Sequence, residues 1–196
     1  MGLRDLDAGG ESIPAEQRMN TGIIKVCFFG PESTGKTTMA AEMAKRFQTL
    51  FVTEVSREIL DSNTFTTDDI IRVGRAQTER ILELEKKVSR LLICDTDILT
   101  TRIYSEHYLG TYPPELDELE QLVSFDRYFL FDIDVPWVAD GLRDLGDQRE
   151  YIMELFRNAL TQRSINPVTV RGTYAERAEM VDRSLRELLN SNQQQR

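Results

Sequence analysis

The sequence predicts an α/β fold in three layers, a central, mostly parallel sheet of about five strands covered by helices on both faces. Three observations predict it. Short apolar runs at 23–29, 91–95 and 128–133 lack the alternation of a half-exposed strand and read as strands buried on both sides. Segments with helical spacing separate these runs, among them 36–47, 66–90 and 115–124. A parallel neighbour is reached only through a crossover, so strands that alternate with helices imply a parallel sheet.

Taken in order, the first run, Ile23-Ile24-Lys25-Val26-Cys27-Phe28-Phe29, is β-prone and stops at Gly30. Beyond a loop, Met39, Ala40, Met43, Ala44 and Phe47 recur on one face of a helix over 36–47, which packs back on the sheet. A second strand is expected over 50–55. A long helix opens at Thr66-Thr67-Asp68-Asp69, where hydroxyl and carboxylate can cap free amides, and runs to about Arg90. Leu91-Leu92-Ile93-Cys94-Asp95 is a strand that ends in an acid, and the helix after it stops near Gly110, before Thr111-Tyr112-Pro113-Pro114. Next come a helix over 115–124, a strand over 128–133, an amphipathic helix through Ile152, Leu155, Phe156 and Ala159, and a short strand Val168-Thr169-Val170. The last helix opens with Thr173 and Glu176 at capping-box spacing and carries Ala178, Val181, Leu185, Leu188 and Leu189 on one side. The expected organisation is a flexible leader over 1–22, one domain over 23–190 and a disordered polar tail over 191–196.

Composition narrows the partners. The chain has 196 residues with 40% hydrophobic and 29% charged side chains, which suits a globular domain able to bury its own core. A net charge of -9 with no run of Lys or Arg repels phosphate backbones and anionic lipid, so neither nucleic acid nor membrane is expected as a partner. Cys27 and Cys94 both fall in buried strands, where a thiol acts as a small hydrophobe, and a cytoplasmic location is expected. Whether the chain forms a homo-oligomer is left open.

Gly30-Pro31-Glu32-Ser33-Thr34-Gly35-Lys36-Thr37 fits G-x-x-x-x-G-K-[ST], and it lies between a buried strand and a helix, as a phosphate-binding loop must. The glycines let the main chain approach phosphates, the N–H groups and helix N-terminus supply positive potential, and Lys36 reaches the β and γ oxygens. The ATP-binding set is therefore Gly30, Glu32, Ser33, Thr34, Gly35, Lys36, Thr37 and Thr38, with Thr37 and Asp95 expected to hold Mg²⁺. Guanine switches carry N-K-x-D, which does not occur here, and ring-forming motors end the acidic strand in Asp-Glu, whereas Asp95 is followed by Thr96. Both departures point to phosphoryl transfer onto a small molecule.

Polar clusters follow the predicted strand ends, where ligands bind in open parallel sheets. They are Glu54 with Arg57 and Glu58, Asp95 with Asp97, and Trp137 with Asp140. Transfer to a hydroxyl needs a carboxylate that takes or orients the proton, a second for the metal shell, and cations on the moving group. Glu54 or Asp95 could be the base, and Glu58 and Asp132 read as structural. The glycine-bearing segment 140–149 is placed as a lid would be, so Arg143 and Arg149 could close over the phosphates. Trp137 follows Pro136 outside any apolar stripe, where an indole could stack on a flat, cationic ring. His107, the only histidine, reads as a packing residue.

These residues resemble the ribosylnicotinamide kinase domain of the NadR-type NAD biosynthesis proteins, from about Ile24 to Leu189. The resemblance rests on the phosphate loop through Thr38, Glu54-Val55-Ser56-Arg57-Glu58, Asp95-Thr96-Asp97 with Thr100-Thr101, and Pro136-Trp137-Val138-Ala139-Asp140-Gly141-Leu142-Arg143. It implies a P-loop kinase fold and ATP-dependent phosphorylation of nicotinamide riboside at its 5′-hydroxyl to nicotinamide mononucleotide. Trp137 would stack on the pyridinium and neighbouring carboxylates would serve the ribose and the reaction, the expected substrate-binding set being Glu54, Arg57, Asp97, Trp137 and Asp140. Longer members of the family carry an H-x-G-H nucleotidylyltransferase signature and a helix-turn-helix region. With one histidine and a short leader, this sequence is expected to perform neither adenylyl transfer nor repression. The remaining alternatives are a kinase for another nucleoside or small alcohol and a non-catalytic ATP-binding module.

Overall fold

The computed structural model describes residues 22–60, 64–138 and 145–194. Its core is a five-stranded sheet in the order β2-β3-β1-β4-β5, with every neighbouring pair parallel. The strands are β1 (Ile24–Phe29), β2 (Phe51–Val52), β3 (Leu91–Asp95), β4 (Arg127–Phe131) and β5 (Val168–Val170). The helices among the described residues are α1 (Lys36–Arg46), α2 (Ser56–Ile59), α3 (Thr67–Glu85), α4 (Ile98–Leu109), α5 (Glu115–Leu122), α6 (Arg149–Gln162) and α7 (Tyr174–Gln194).

Side-chain alternation along β1 divides the core into two layers. Ile24, Val26 and Phe28 pack with Met39, Ala40 and Met43 of α1 and Val181 and Leu185 of α7. Cys27 and Phe29 face the other way, into a layer with Ile70 of α3, Leu99 of α4, Leu116 of α5 and Phe156 of α6. Burial on both faces is why the strands read as continuous apolar runs. Cys27 and Cys94 lie opposite each other in the β1–β3 register, buried and free. Gly74 lets α3 approach its neighbours closely, since a Cβ there would stand 2.8 Å from Leu116 and 2.9 Å from Ile98.

Several element ends differ from expectation, each for a visible reason. The second strand keeps only Phe51–Val52, because the Val55 N–H is taken by the Gln77 Oε1 at 3.0 Å and the chain turns into α2. The long helix ends at Glu85, where Lys87 and Val88 donate in tight turns to Leu84 and Glu85. The last helix continues through 191–194 instead of fraying, with the Ser191 hydroxyl on the Glu187 carbonyl and the Asn192 amide reaching Gly22. Both capping boxes form, Thr66 with Asp69 and Thr173 with Glu176. No helix among the described residues is long and apolar enough to cross a membrane.

Candidate active site

The loop after β1 lies at the carboxyl end of the middle strand, which separates β2 and β3 on one side from β4 and β5 on the other. Gly30 adopts φ 132°, and a Cβ there would sit 2.7 Å from the Phe131 carbonyl, so only glycine fits. Gly35, at φ 86°, opens α1 with no side-chain cap and no acid in the first turn, leaving the helix amides for an anion. Three loop carbonyls are occupied: Thr34 Oγ1 donates to Pro31, Lys36 Nζ to Gly30 and Pro31 at 2.8 Å each, and Arg177 Nη1 to Thr34. Burial lowers the pKa of Lys36, against the pull of Asp95 and Glu54. Thr37 and Thr38 stand exposed at the rim.

Asp95 ends β3 fully buried, and its Oδ2 accepts from the Thr37 hydroxyl at 2.5 Å. Its Oδ1 has no hydrogen-bond partner among the described residues. Burial pushes the carboxyl up to about 6, with Lys36 and Thr37 opposing. A hydroxyl and a carboxylate that converge, with one carboxylate oxygen unused, are a donor set that fits Mg²⁺. Thr96 follows in the left-handed region at φ 72°, its N–H on the Phe28 carbonyl, a strained turn that fixes the direction of Asp95.

The cleft beyond Lys36 is lined by Glu54, Ser56 and Arg57 at its mouth. Deeper, Phe65, Val73, Gln77, Thr100, Tyr104 and Tyr108 line it. Ser56 donates to Glu54 at 2.5 Å, and Glu58 is held away by a two-pronged pair with Arg80, as a structural residue should be. Sequence reasoning missed Phe65, Gln77, Tyr104 and Tyr108. Gln77 had left a signal, a polar side chain in the stripe of Ile70, Val73 and Ile81 on α3.

Asp97 is a correction to the expected acceptor set. It is buried as the cap of α4, with Oδ1 accepting from the Leu99 and Thr100 N–H groups and Oδ2 from the Tyr128 hydroxyl at 2.6 Å. It does not line the cleft, because an extended N-cap aims its side chain back over its own helix. Asp140 and Arg143 lie outside the described residues. Arg149 opens α6 and donates through Nη1 to Val135, while its Nε and Nη2 are buried without a partner among the described residues. Glu32 and Ser33 accept from the backbone N–H groups of Leu145 and Val138. The Trp137 indole rests on Gly146, where a Cβ would meet the ring at 3.1 Å, and is not among the residues lining the cleft. Leu145, beside that contact, ties it to Glu32 on the cleft wall.

A family model described as an AAA domain matches residues 25–177, most of the chain. The chain belongs to this family. The AAA domain here ends its acidic strand in Asp95-Thr96. A curated relative, the trifunctional NAD biosynthesis/regulator protein NadR of Salmonella typhimurium, is 31% identical over 156 residues, 74% of this chain and 38% of that protein. The chain thus spans little more than a third of that relative's length. Among solved structures, a NadR protein in complex with NR aligns at a TM-score of 0.73 and 18% identity, over 86% of this chain and 51% of the other. A deoxyadenosine kinase from M. mycoides aligns at a TM-score of 0.65 and 17% identity, over 84% and 100% respectively. The AAA domain therefore has the fold of P-loop kinases.

Proposed function

We propose that the protein is an ATP-dependent kinase that phosphorylates the 5′-hydroxyl of nicotinamide riboside to give nicotinamide mononucleotide. The observation that carries this reading is one cleft that runs from Lys36 and Gly30 of the phosphate loop, past Glu54, to an aromatic end at Phe65, Tyr104 and Tyr108. It is a channel with a phosphate end and a ring end. The similarity to NadR supports the substrate.

In the reaction the acceptor oxygen attacks the γ-phosphorus, its new P–O bond forms, and the bond to the β–γ bridging oxygen breaks to release ADP. Glu54 takes the hydroxyl proton, held in line by Ser56. Lys36 leaves the Gly30 and Pro31 carbonyls for the β and γ oxygens, and the loop N–H groups hold the rest of the triphosphate. Thr37 and Asp95 would hold Mg²⁺, which would offset phosphate charge. Arg57, at the mouth, orients the ribose, and Trp137 stacks on the cationic ring once its indole turns from Gly146 into the cleft, which it does not line in this structure. Two free, buried cysteines support a reducing, cytoplasmic setting.

The test is ADP release from Mg-ATP with nicotinamide riboside, uridine and deoxynucleosides as acceptors. Stimulation by nicotinamide riboside, with nicotinamide mononucleotide formed in step, is expected. Stimulation by another nucleoside alone would replace the substrate, and stimulation by none would leave an ATP-binding module.

A further inference from the structure

The deep end of the cleft holds two buried polar groups that the phosphoryl chemistry does not use. Gln77 on α3 is 2% exposed, and its Oε1 accepts from the Val55 N–H, which fixes the amide the right way round and leaves Nε2 as the free donor. That Nε2 has no hydrogen-bond partner among the described residues. Thr100 on α4 is 5% exposed, and its Oγ1 is likewise without a partner among them, although its N–H is taken by Asp97. Both residues line the cleft, as do Val73, Tyr104 and Tyr108. Buried polar groups are normally paired, so two together in an apolar slot point to a ligand group that pairs them.

Building on the kinase reading above, we propose that Gln77 and Thr100 read the edge of the acceptor's ring, selecting a flat heterocycle that carries a neutral carbonyl. Nε2 can only donate, so the ring must present an acceptor oxygen to it. The Thr100 hydroxyl can donate or accept, and so tolerates the amide nitrogen beside that oxygen. The slot offers Leu60, Ile70 and Val73 as walls, apolar surroundings that disfavour burying a ring carboxylate. A site built to hydrogen-bond a polar group rejects the analogue that lacks it, because its own buried groups are then unpaired.

The test compares kcat/KM for nicotinamide riboside and for ribosylpyridinium without the carboxamide. It uses the full chain as wild type, Gln77→Glu and Thr100→Val, with the melting temperature of each. Gln77→Glu keeps an oxygen for the Val55 N–H and replaces the donor by an acceptor. The wild-type ratio should favour the carboxamide at least tenfold and fall by about that factor in Gln77→Glu, mainly through KM. The Thr100→Val ratio should fall less. If both acceptors lose equally and the ratio stays put, Gln77 is only a tie to Val55 and the proposal is overturned. Should wild type use a different nucleoside, the substrate assignment fails separately. The same ratio, taken with that nucleoside and its analogue lacking the ring carbonyl, then decides for or against Gln77. Without turnover, the two dissociation constants from calorimetry replace kcat/KM, and failure to bind any carbonyl-bearing ring overturns the proposal.

Discussion

Glu54 and Trp137 are proposed for separate tasks, and single substitutions test each. Glu54 lines the cleft with Ser56 donating to it, so Glu54→Gln should lower kcat by roughly 10²-fold with the KM for ATP nearly unchanged. Trp137→Ala should raise the KM for nicotinamide riboside about tenfold, the scale of a lost cation–π contact, and leave kcat nearly intact. An unchanged KM would remove Trp137 from the ring site. Residues of the phosphate loop were legible in the sequence because their chemistry dictates type and spacing together: Gly30 has no room for a Cβ and Lys36 must follow Gly35. Asp97 was misread because a carboxylate two residues after a strand looks the same whether it meets substrate or caps a helix. Tyr104 and Tyr108 were invisible since their helix shows no single apolar face, buried as it is on several sides.

Among the elements, the junction of β4, the turn at Gly172 and α7 governs the shape of the phosphate loop. Arg177 is 2% exposed and donates to the carbonyls of Thr34, Asp132 and Gly172, and it pairs with Asp134. Burial raises the Asp134 carboxyl, but the Gly172 N–H and Arg177 outweigh it and hold it below the usual carboxylate range. A depressed folded value adds stability above the unfolded value, and that stability is lost as pH falls through the folded one. Asp134→Asn should therefore cost about 1 kcal/mol at pH 7, reduced by solvent at this partly exposed carboxylate. In urea melts, the gap to wild type should close as pH drops below about 3.9, the ordinary Asp value. A constant gap would show that the charge on Asp134 contributes nothing. Strands and helices were readable from periodicity, whereas this junction was not, because four oxygens gathered by one arginine come from segments far apart in sequence.

At the scale of the whole molecule, the sheet order brings the loops after β1, β2, β3 and β4 to one edge, so ligand binding engages most of the fold. Mg-ATP at a hundredfold its Kd should add about 2.7 kcal/mol, or roughly 5–10 °C in Tm for a domain of this size. Lys36→Met should abolish most of that shift with little loss in the Tm of the free protein, since Lys36 is a buried cation whose burial cost is offset by two loop carbonyls and by the nearby Asp95 and Glu54. Thermal shift with and without nucleotide checks it.

The paired thiols of β1 and β3 turn this coupling into a clock. Cys27 and Cys94 are the only cysteines, both at 0% exposure, and burial pushes both thiols well above their ordinary range. Neither can meet a labelling reagent until the middle of the sheet comes apart, so the two should be modified together, at the pace of global opening. Each thiol is thus a built-in stopwatch for the breathing of the sheet, and a nucleotide that grips the loop above them should slow its hand.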